Sequence, residues 1–395
     1  MINRLNTFDL KDKRVLMRVD FNVPIENGVV ADDYRIRATL PTIEHCFDQG
    51  ASVVLMSHLG RPKGKAVDSM SLIPVGEKLA DLLEMPIKFS EDCVSEDAQD
   101  TSLGISPGEI HLLENLRFHS EETENDPRFS MKLAKHGQVF INDAFGTAHR
   151  SHSSNVGIVE HFKQKGIGFL MENEMRYLHE SFRHPKRPLT IILGGAKVDT
   201  KLSLIHQFMD KADNIIIGGG MAFTFLKAKG KNVGGSLVDD SMIPKAEQIL
   251  NDEKNRKATL VLPNDFICGR SADDCPEGEF RRNELPDKLM GLDIGSRSIE
   301  TFIKIINNSG TILWNGPMGV FENEEYSHGS KSIAESMVNA TTKEKVTVVG
   351  GGDTAAAIRG FGLHNDVSHV STGGGASLEL LSGEKLPAFS ALDSK

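Results

Sequence analysis

The residues of this 395-residue chain that could do chemistry fall into two sets of different kind. In the first half, short apolar runs end on loops rich in cations and amides: Val15–Met17 runs into Arg18, Asp20 and Asn22, and Ser52–Met56 into His58, Gly60 and Arg61. Ile110–Leu113 likewise runs into Glu114 and Arg117, and Val139–Ile141 into His149 and Arg150, while Arg35 opens a helical pattern. If Arg18, Arg35, Arg61, Arg117 and Arg150 converge, they form a costly cluster of like charge unless an anion or interleaved carboxylates offset it. In the second half glycine takes the place of arginine, at Gly194–Gly195, Gly218–Gly220, Gly316, Gly350–Gly352 and Gly373–Gly375. Loops of this composition let backbone N–H groups cradle an anion, and several together suit a polyphosphate. The stretch VTVVGGGDTAAAI, Val346–Ile358, reads as strand, tight loop and helix N-terminus. On that stretch alone Asp353 is an N-cap or a metal ligand beside a phosphate, with the cap favoured. Lys197 and Lys201 share one helix face, either with a phosphate between them and the helix or as two solvated lysines.

The elements that must position these residues are apolar strands alternating with helical patterns such as Tyr34–Asp48 and Ile73–Leu83, which predicts mainly parallel, doubly wound sheets with ligands beyond the carboxyl ends of the strands. The length predicts roughly two domains. Met171–Arg183, charged, helical by pattern and followed by Pro185 and Pro188, reads as the joining helix. Trp314 reads as a core filler, and Cys268–Gly278 as a polar surface excursion without chemistry. The His149/His152 spacing has no intervening glutamate and no third ligand, so no metal is expected there.

A net charge of −10 and a pI near 5.8 argue against nucleic acid or an anionic membrane as the main partner. Four cysteines without paired metal spacing predict free thiols in a reducing compartment. The start has no apolar signal region and no apolar run approaches about 18 residues, which predicts a cytoplasmic protein. GxxxxGK[ST] does not occur. No strand leads into a full GxGxxG, although Gly218–Gly220 comes near enough to keep an NAD-dependent dehydrogenase of a small hydroxy acid as the second reading.

RVDFNVP (Arg18–Pro24), SHLGRP (Ser57–Pro62), NDAFGTAHRSHSS (Asn142–Ser154), GGAKVDTK (Gly194–Lys201), IIIGGGMAFTFL (Ile215–Leu226), WNGPMGVFE (Trp314–Glu322), GGGDT (Gly350–Thr354) and STGGGASLEL (Ser371–Leu380), in that order, closely resemble the phosphoglycerate kinase family. The resemblance implies two Rossmann-like domains, 1–170 for phosphoglycerate and 186–380 for nucleotide, a hinge helix at 171–185 and a tail, 381–395, packed back on the first domain. It implies a monomer that passes a phosphoryl group between ATP/ADP, with Mg2+, and 3-phosphoglycerate or 1,3-bisphosphoglycerate. By position it assigns Asp20, Phe21, Asn22, Arg35, His58, Leu59, Gly60, Arg61, Arg117, His149 and Arg150 to the substrate. Lys197, Lys201, Gly219, Gly291, Asn315, Glu322, Gly351, Gly352, Asp353 and Thr354 fall to the nucleotide, with Asp353 now the magnesium-linked carboxylate. Transfer to a carboxylate that is already ionised needs no general base, so the chemistry calls for charge neutralisation and positioning. Arg35 and Lys197 are the expected catalytic residues, and His58 and His149 are ligands. A non-catalytic pair of metabolite-binding domains is the remaining alternative.

Overall fold

The computed structural model describes residues 2–196, 198–253 and 256–393, and the chain folds into two compact units, Met1–Met175 with Lys385–Lys395, and Arg176–Glu384. The first carries β1 (Arg14–Val19), β2 (Ile25–Glu26), β3 (Val29–Val30), β4 (Ser52–Met56), β5 (Ile87–Ser90), β6 (Ile110–Leu113), β7 (Val139–Asp143) and β8 (Lys165–Ile167). β2 and β3 form a small antiparallel hairpin, and the other six make a parallel sheet in the order β5-β6-β4-β1-β7-β8. β4, β6 and β7 are buried along their whole length, as a sheet covered on both faces requires. Tyr34–Asp48 and Ile73–Leu83 are helices, with Ile36, Ile43 and Cys46 of the one and Val75 and Leu79 of the other turned into the core. Pro74 opens the second helix without loss, because the first N–H groups of a helix lack partners anyway. The chain leaves β1 toward β4 and later returns to add β7 on the other side, so the topological switch point lies beside β1. The C-terminal helix Pro387–Asp393 belongs to this unit: Ala388 N–H donates to Ala148 O at 3.1 Å, and Phe389 meets Phe145 edge-on at 6.3 Å.

The second unit carries β9 (Leu189–Leu193), β10 (Asn214–Ile217), β11 (Thr259–Val261), β12 (Asp265–Gly269), β13 (Gly278–Arg281), β14 (Met290–Ile294), β15 (Thr311–Asn315), β16 (Val346–Gly350) and β17 (His369–Val370). Its parallel sheet runs β11-β10-β9-β15-β16-β17, with the switch point between β9 and β15. Trp314 on β15 is fully buried, and its indole N–H donates to Gly316 O at 2.9 Å. The expectation of a featureless polar excursion over Cys268–Gly278 is corrected. Its ends belong to a three-stranded antiparallel sheet, β13-β12-β14, in which Phe266 and Cys268 are buried. Gly383 and Ser382 stay with this unit, Ser382 Oγ donating to Ser203 Oγ at 3.3 Å.

Phe169–Arg183 is helical throughout but changes winding: α over Phe169–Met175, π over Arg176–Glu180, α again over Ser181–Arg183. The division between the units falls where the π stretch begins. No helix of the described residues is long and apolar enough to cross a membrane.

Candidate active sites on the two units

In the first unit the loops after β1, β4, β6 and β7 gather the predicted cations. Arg18 is fully buried: Nε donates to Ser154 Oγ at 2.8 Å, one terminal nitrogen donates to Val19 O, and the other lies 3.2 Å from His58 Nδ1. A guanidinium only donates, so His58 Nδ1 accepts and its proton sits on Nε2. Burial first, then Arg18, Arg117, Arg35 and Arg150, push the His58 pKa well below its ordinary value. The ring is therefore a neutral donor, suited to binding and not to acid–base work.

Asp20 is the carboxylate that interleaves the cluster. Its Oδ2 accepts from Arg35 at 2.7 Å, and its Oδ1 lies 3.8 Å from His58 Nδ1. Asn22 Oδ1 accepts from Gly60 N–H at 2.9 Å, tying the β1 loop to the β4 loop. Phe21 is core; its N–H donates to Ser57 Oγ at 2.9 Å, so it shapes the loop. Leu59 is buried and clasped by the Asn115 amide, which receives its N–H at 3.2 Å and donates to its O at 2.7 Å. Gly60, at φ 61°, then turns the chain so that its carbonyl accepts from Arg117 at 2.7 Å. Arg150 Nε lies 3.3 Å from His149 Nε2.

Arg61, Arg117 and Arg150, with Lys63, His119, Ser120 and Thr123, line an open cavity of about 580 Å³ that no carboxylate among the described residues lines. Among the described residues Arg117 Nε has no hydrogen-bond partner, and burial, then Arg18 and Arg150, lower the Arg117 pKa to about 10. Two carboxylates hold this arrangement, Glu122, which the sequence did not reveal, and Glu114. Glu122, fully buried, accepts from Ser154 N–H at 3.0 Å and Ser154 Oγ at 2.6 Å, and its charge acts on Arg18. Glu114 is engaged by Ser71 and by the N–H groups of Leu72 and Asn115.

In the second unit two cavities of about 340 Å³ each adjoin at the β9/β15 switch point and share Gly195, Ala196 and Asp353. One is an apolar slot walled by Phe223, Leu237, Phe266, Met290 and Leu292, with Gly219, Gly291 and Glu322 along it. A Cβ on Gly291 would lie 2.2 Å from the Phe223 ring, so only glycine leaves that wall intact. The other is a polar cradle of Lys201, Asn315, Gly351, Gly352, Asp353, Thr354, Gly374 and Gly375. Gly194 N–H donates to Asn315 O at 3.0 Å and Gly195 N–H to Pro317 O at 2.7 Å, stitching the ends of β9 and β15 together.

Lys201 is almost wholly buried; its ammonium donates to Gly194 O and to Asn315 O at 3.0 Å. Burial lowers its pKa to about 8, with Asp353 acting against the fall. The Asn315 side-chain nitrogen is buried without a hydrogen-bond partner among the described residues. Thr354 Oγ is spent on Gly316 N–H at 2.6 Å, leaving its backbone for a ligand. The helix Gly352–Gly360 has Gly351 as its N-cap, at φ 88°, and Asp353 makes no cap. Asp353 is exposed, an oxygen donor on the rim of both cavities and so of the chemistry that a hard cation takes. Lys197 lies outside the described residues.

An anion cavity on one unit and an apolar slot beside a glycine cradle on the other are what a phosphorylated acid and a nucleotide would need. The phosphoglycerate kinase family model matches residues 5–384. The chain belongs to the phosphoglycerate kinase family. It is similar to the phosphoglycerate kinase of Thermosipho africanus, 46% identical over 393 residues, which span 99% of this chain and 98% of the relative. The enzyme of Chloroherpeton thalassium is 45% identical over 381 residues, 96% of each chain. Among solved structures, phosphoglycerate kinase from Coxiella burnetii matches with a TM-score of 0.87 at 36% identity over 99% of both chains. That from Pyrococcus horikoshii OT3 also reaches 0.87, at 32% identity over 99% of this chain and 98% of that one. The protein is thus a phosphotransferase of glycolysis whose family uses an adenine nucleotide and a small phosphorylated acid. The dehydrogenase reading has no support in these likenesses.

Proposed function

We propose that the first unit binds 3-phosphoglycerate or 1,3-bisphosphoglycerate at the β1, β4, β6 and β7 loops, and that the second binds ATP or ADP in its paired cavities. The observation that carries this is the open cavity with three arginines and, among the described residues, no carboxylate on its lining. Arg61, Arg117 and Arg150 take the phosphate, while Asp20, Asn22, His58 and Arg35 address the rest of the substrate, and His149 steadies Arg150. The apolar slot takes the base, with Glu322 placed for ribose hydroxyls, and Lys201, Asn315 and the N–H groups of Gly351–Thr354 take the phosphates. Asp353 would hold Mg2+ arriving with the nucleotide, and the ion would neutralise phosphoryl oxygens. Arg35 and Lys197 meet the transferring group, so catalysis is positioning and charge stabilisation.

In-line transfer needs reacting atoms about 3–3.5 Å apart, and each ligand has its own unit, so the units must close for reaction and expel water as they do so. We place the hinge in the Phe169–Arg183 helix, where the π stretch departs from regular winding. Four free cysteines, three of them buried, support a reducing, cytoplasmic setting. A coupled assay with 3-phosphoglycerate and MgATP tests the function: turnover is expected, and affinity without turnover would leave a binding protein.

A further inference from the structure

The first unit brings Asp92, Cys93 and His119 together, with one ligating atom of each within 4.8 Å of the others. We propose that these three residues form a binding site for a thiophilic divalent cation, with zinc the reference ion. Topology explains the meeting. Asp92 and Cys93 follow β5, His119 follows the short turn Leu116–Phe118 after β6, and β5 and β6 are paired neighbours.

The donors are partly arranged already. Asp92 Oδ1 is fixed by the N–H groups of Val94 at 2.6 Å and Ser95 at 2.8 Å, which leaves Oδ2 facing His119 Nε2 at 3.1 Å. Cys93 is only 1% exposed, whereas the Asp92 and His119 side chains are 39% and 27% exposed. A deep sulfur therefore stands behind two donors that reach solvent, and His119 opens onto the basic cavity. Tetrahedral zinc with S, N and O ligands sets neighbouring donors roughly 3–4 Å apart, so about 1 Å of side-chain movement closes the set, and the fourth position goes to water. Sulfur and imidazole select zinc-like ions over magnesium or calcium.

Asp92 places a carboxylate beside the Cys93 sulfur, the charge that a cation held there requires. Binding breaks the Cys93 S–H bond, forms the sulfur–metal bond and sends the proton to solvent, so affinity should rise as pH rises. A plain Asp92–His119 ion pair would involve no sulfur.

The test is calorimetric titration of the full chain with zinc chloride, in a Cys275→Ser background that removes the one exposed thiol. One ion per chain is expected, with a proton released, read from the dependence of the heat on buffer ionisation enthalpy. Cobalt(II) should give a thiolate-to-metal charge-transfer band. Loss of an outer partner of a ligand already costs 10–100-fold, so Cys93→Ser should abolish the band and weaken zinc by about 100-fold or more. His119→Gln, at a partly exposed side chain, should weaken zinc as strongly with an unchanged far-ultraviolet circular dichroism spectrum, and it decides the matter if Cys93→Ser does not fold. Unchanged zinc affinity in His119→Gln, or no binding by the parent, overturns the proposal.

Discussion

Arg35 gives one terminal nitrogen to Asp20 at 2.7 Å, and its side chain is about a third exposed. A lysine would keep the charge and lose the planar fork. Arg35→Lys should lower kcat by roughly 10²–10³-fold, the cost of one lost transition-state donor, with stability little changed. Steady-state kinetics indistinguishable from the parent would take Arg35 out of the site. Lys201 offers a pH-dependent counterpart in the other unit. Free, it has a pKa of about 8 because it is buried; a bound phosphate raises that value, so binding at higher pH must also take up a proton. Nucleotide affinity measured by calorimetry should thus be constant below pH 8 and fall as pH rises above it. Lys201→Met should flatten the profile, and an unchanged profile would assign the dependence to another group. Sequence showed the cations of these sites and Asp20 among them, but not Glu122. Glu122 lies about a hundred residues from Arg18, and such a pairing leaves no local spacing to read.

Among the elements, the legible ones were those with strong local pattern. The Tyr34–Asp48 and Ile73–Leu83 helices follow the period of their apolar residues, and the parallel strands follow short β-branched runs. The β12–β14 sheet was illegible because its strands carry glycine and aspartate among their apolar residues, and β13 exposes every second residue. That same sheet supplies Phe266, Met290 and Leu292 to the apolar slot, so those walls were hidden with it. Glycine positions divide in the same way: the clusters were visible, but which glycine is indispensable depends on distant backbone. Gly219, at φ 60°, would place a Cβ 2.4 Å from Gly195 N and 2.7 Å from Pro317 O, forcing the ends of β9 and β15 apart. Gly219→Ala should destabilise the second unit by about 1–3 kcal/mol and weaken nucleotide binding, leaving 3-phosphoglycerate binding intact. Gly362→Ala, at φ 73° with nothing within 4 Å, is the control that carries the backbone cost alone. Fluorescence of Trp314, the single tryptophan, follows the unfolding of the second unit, and equal shifts in the two variants would contradict the steric account.

For the whole molecule, the two units should respond differently to acid. Burial holds His111 and His136 at a pKa of about 4 and His152 at about 3, and His58 is also depressed, all in the first unit. Their folded pKa values lie below the unfolded one, so their stability contribution is present above about pH 6.5 and is lost as pH falls, by roughly 2 kcal/mol per histidine at pH 5. Asp143, raised by burial to about 7, and Glu122, raised in the same direction, oppose this within the unit. In the second unit Asp293, also raised by burial to about 7, keeps its proton when folded, so its unit is not weakened by acidification from pH 7 to 5. Heating at pH 5 should give a circular dichroism transition that precedes the Trp314 transition, and coincident transitions at both pH values would refute the asymmetry.

The central claim is that acid and nucleotide occupy separate units that must be brought together for transfer. Ligands shift such an equilibrium only through differential affinity, and only the closed state gains contacts to both. Small-angle X-ray scattering with 3-phosphoglycerate and MgADP, a pair that cannot react, tests it most directly. The radius of gyration should fall clearly with both ligands and less with either alone. A ligand-free protein already as compact as the ternary complex would contradict closure and make the Phe169–Arg183 helix a rigid strut.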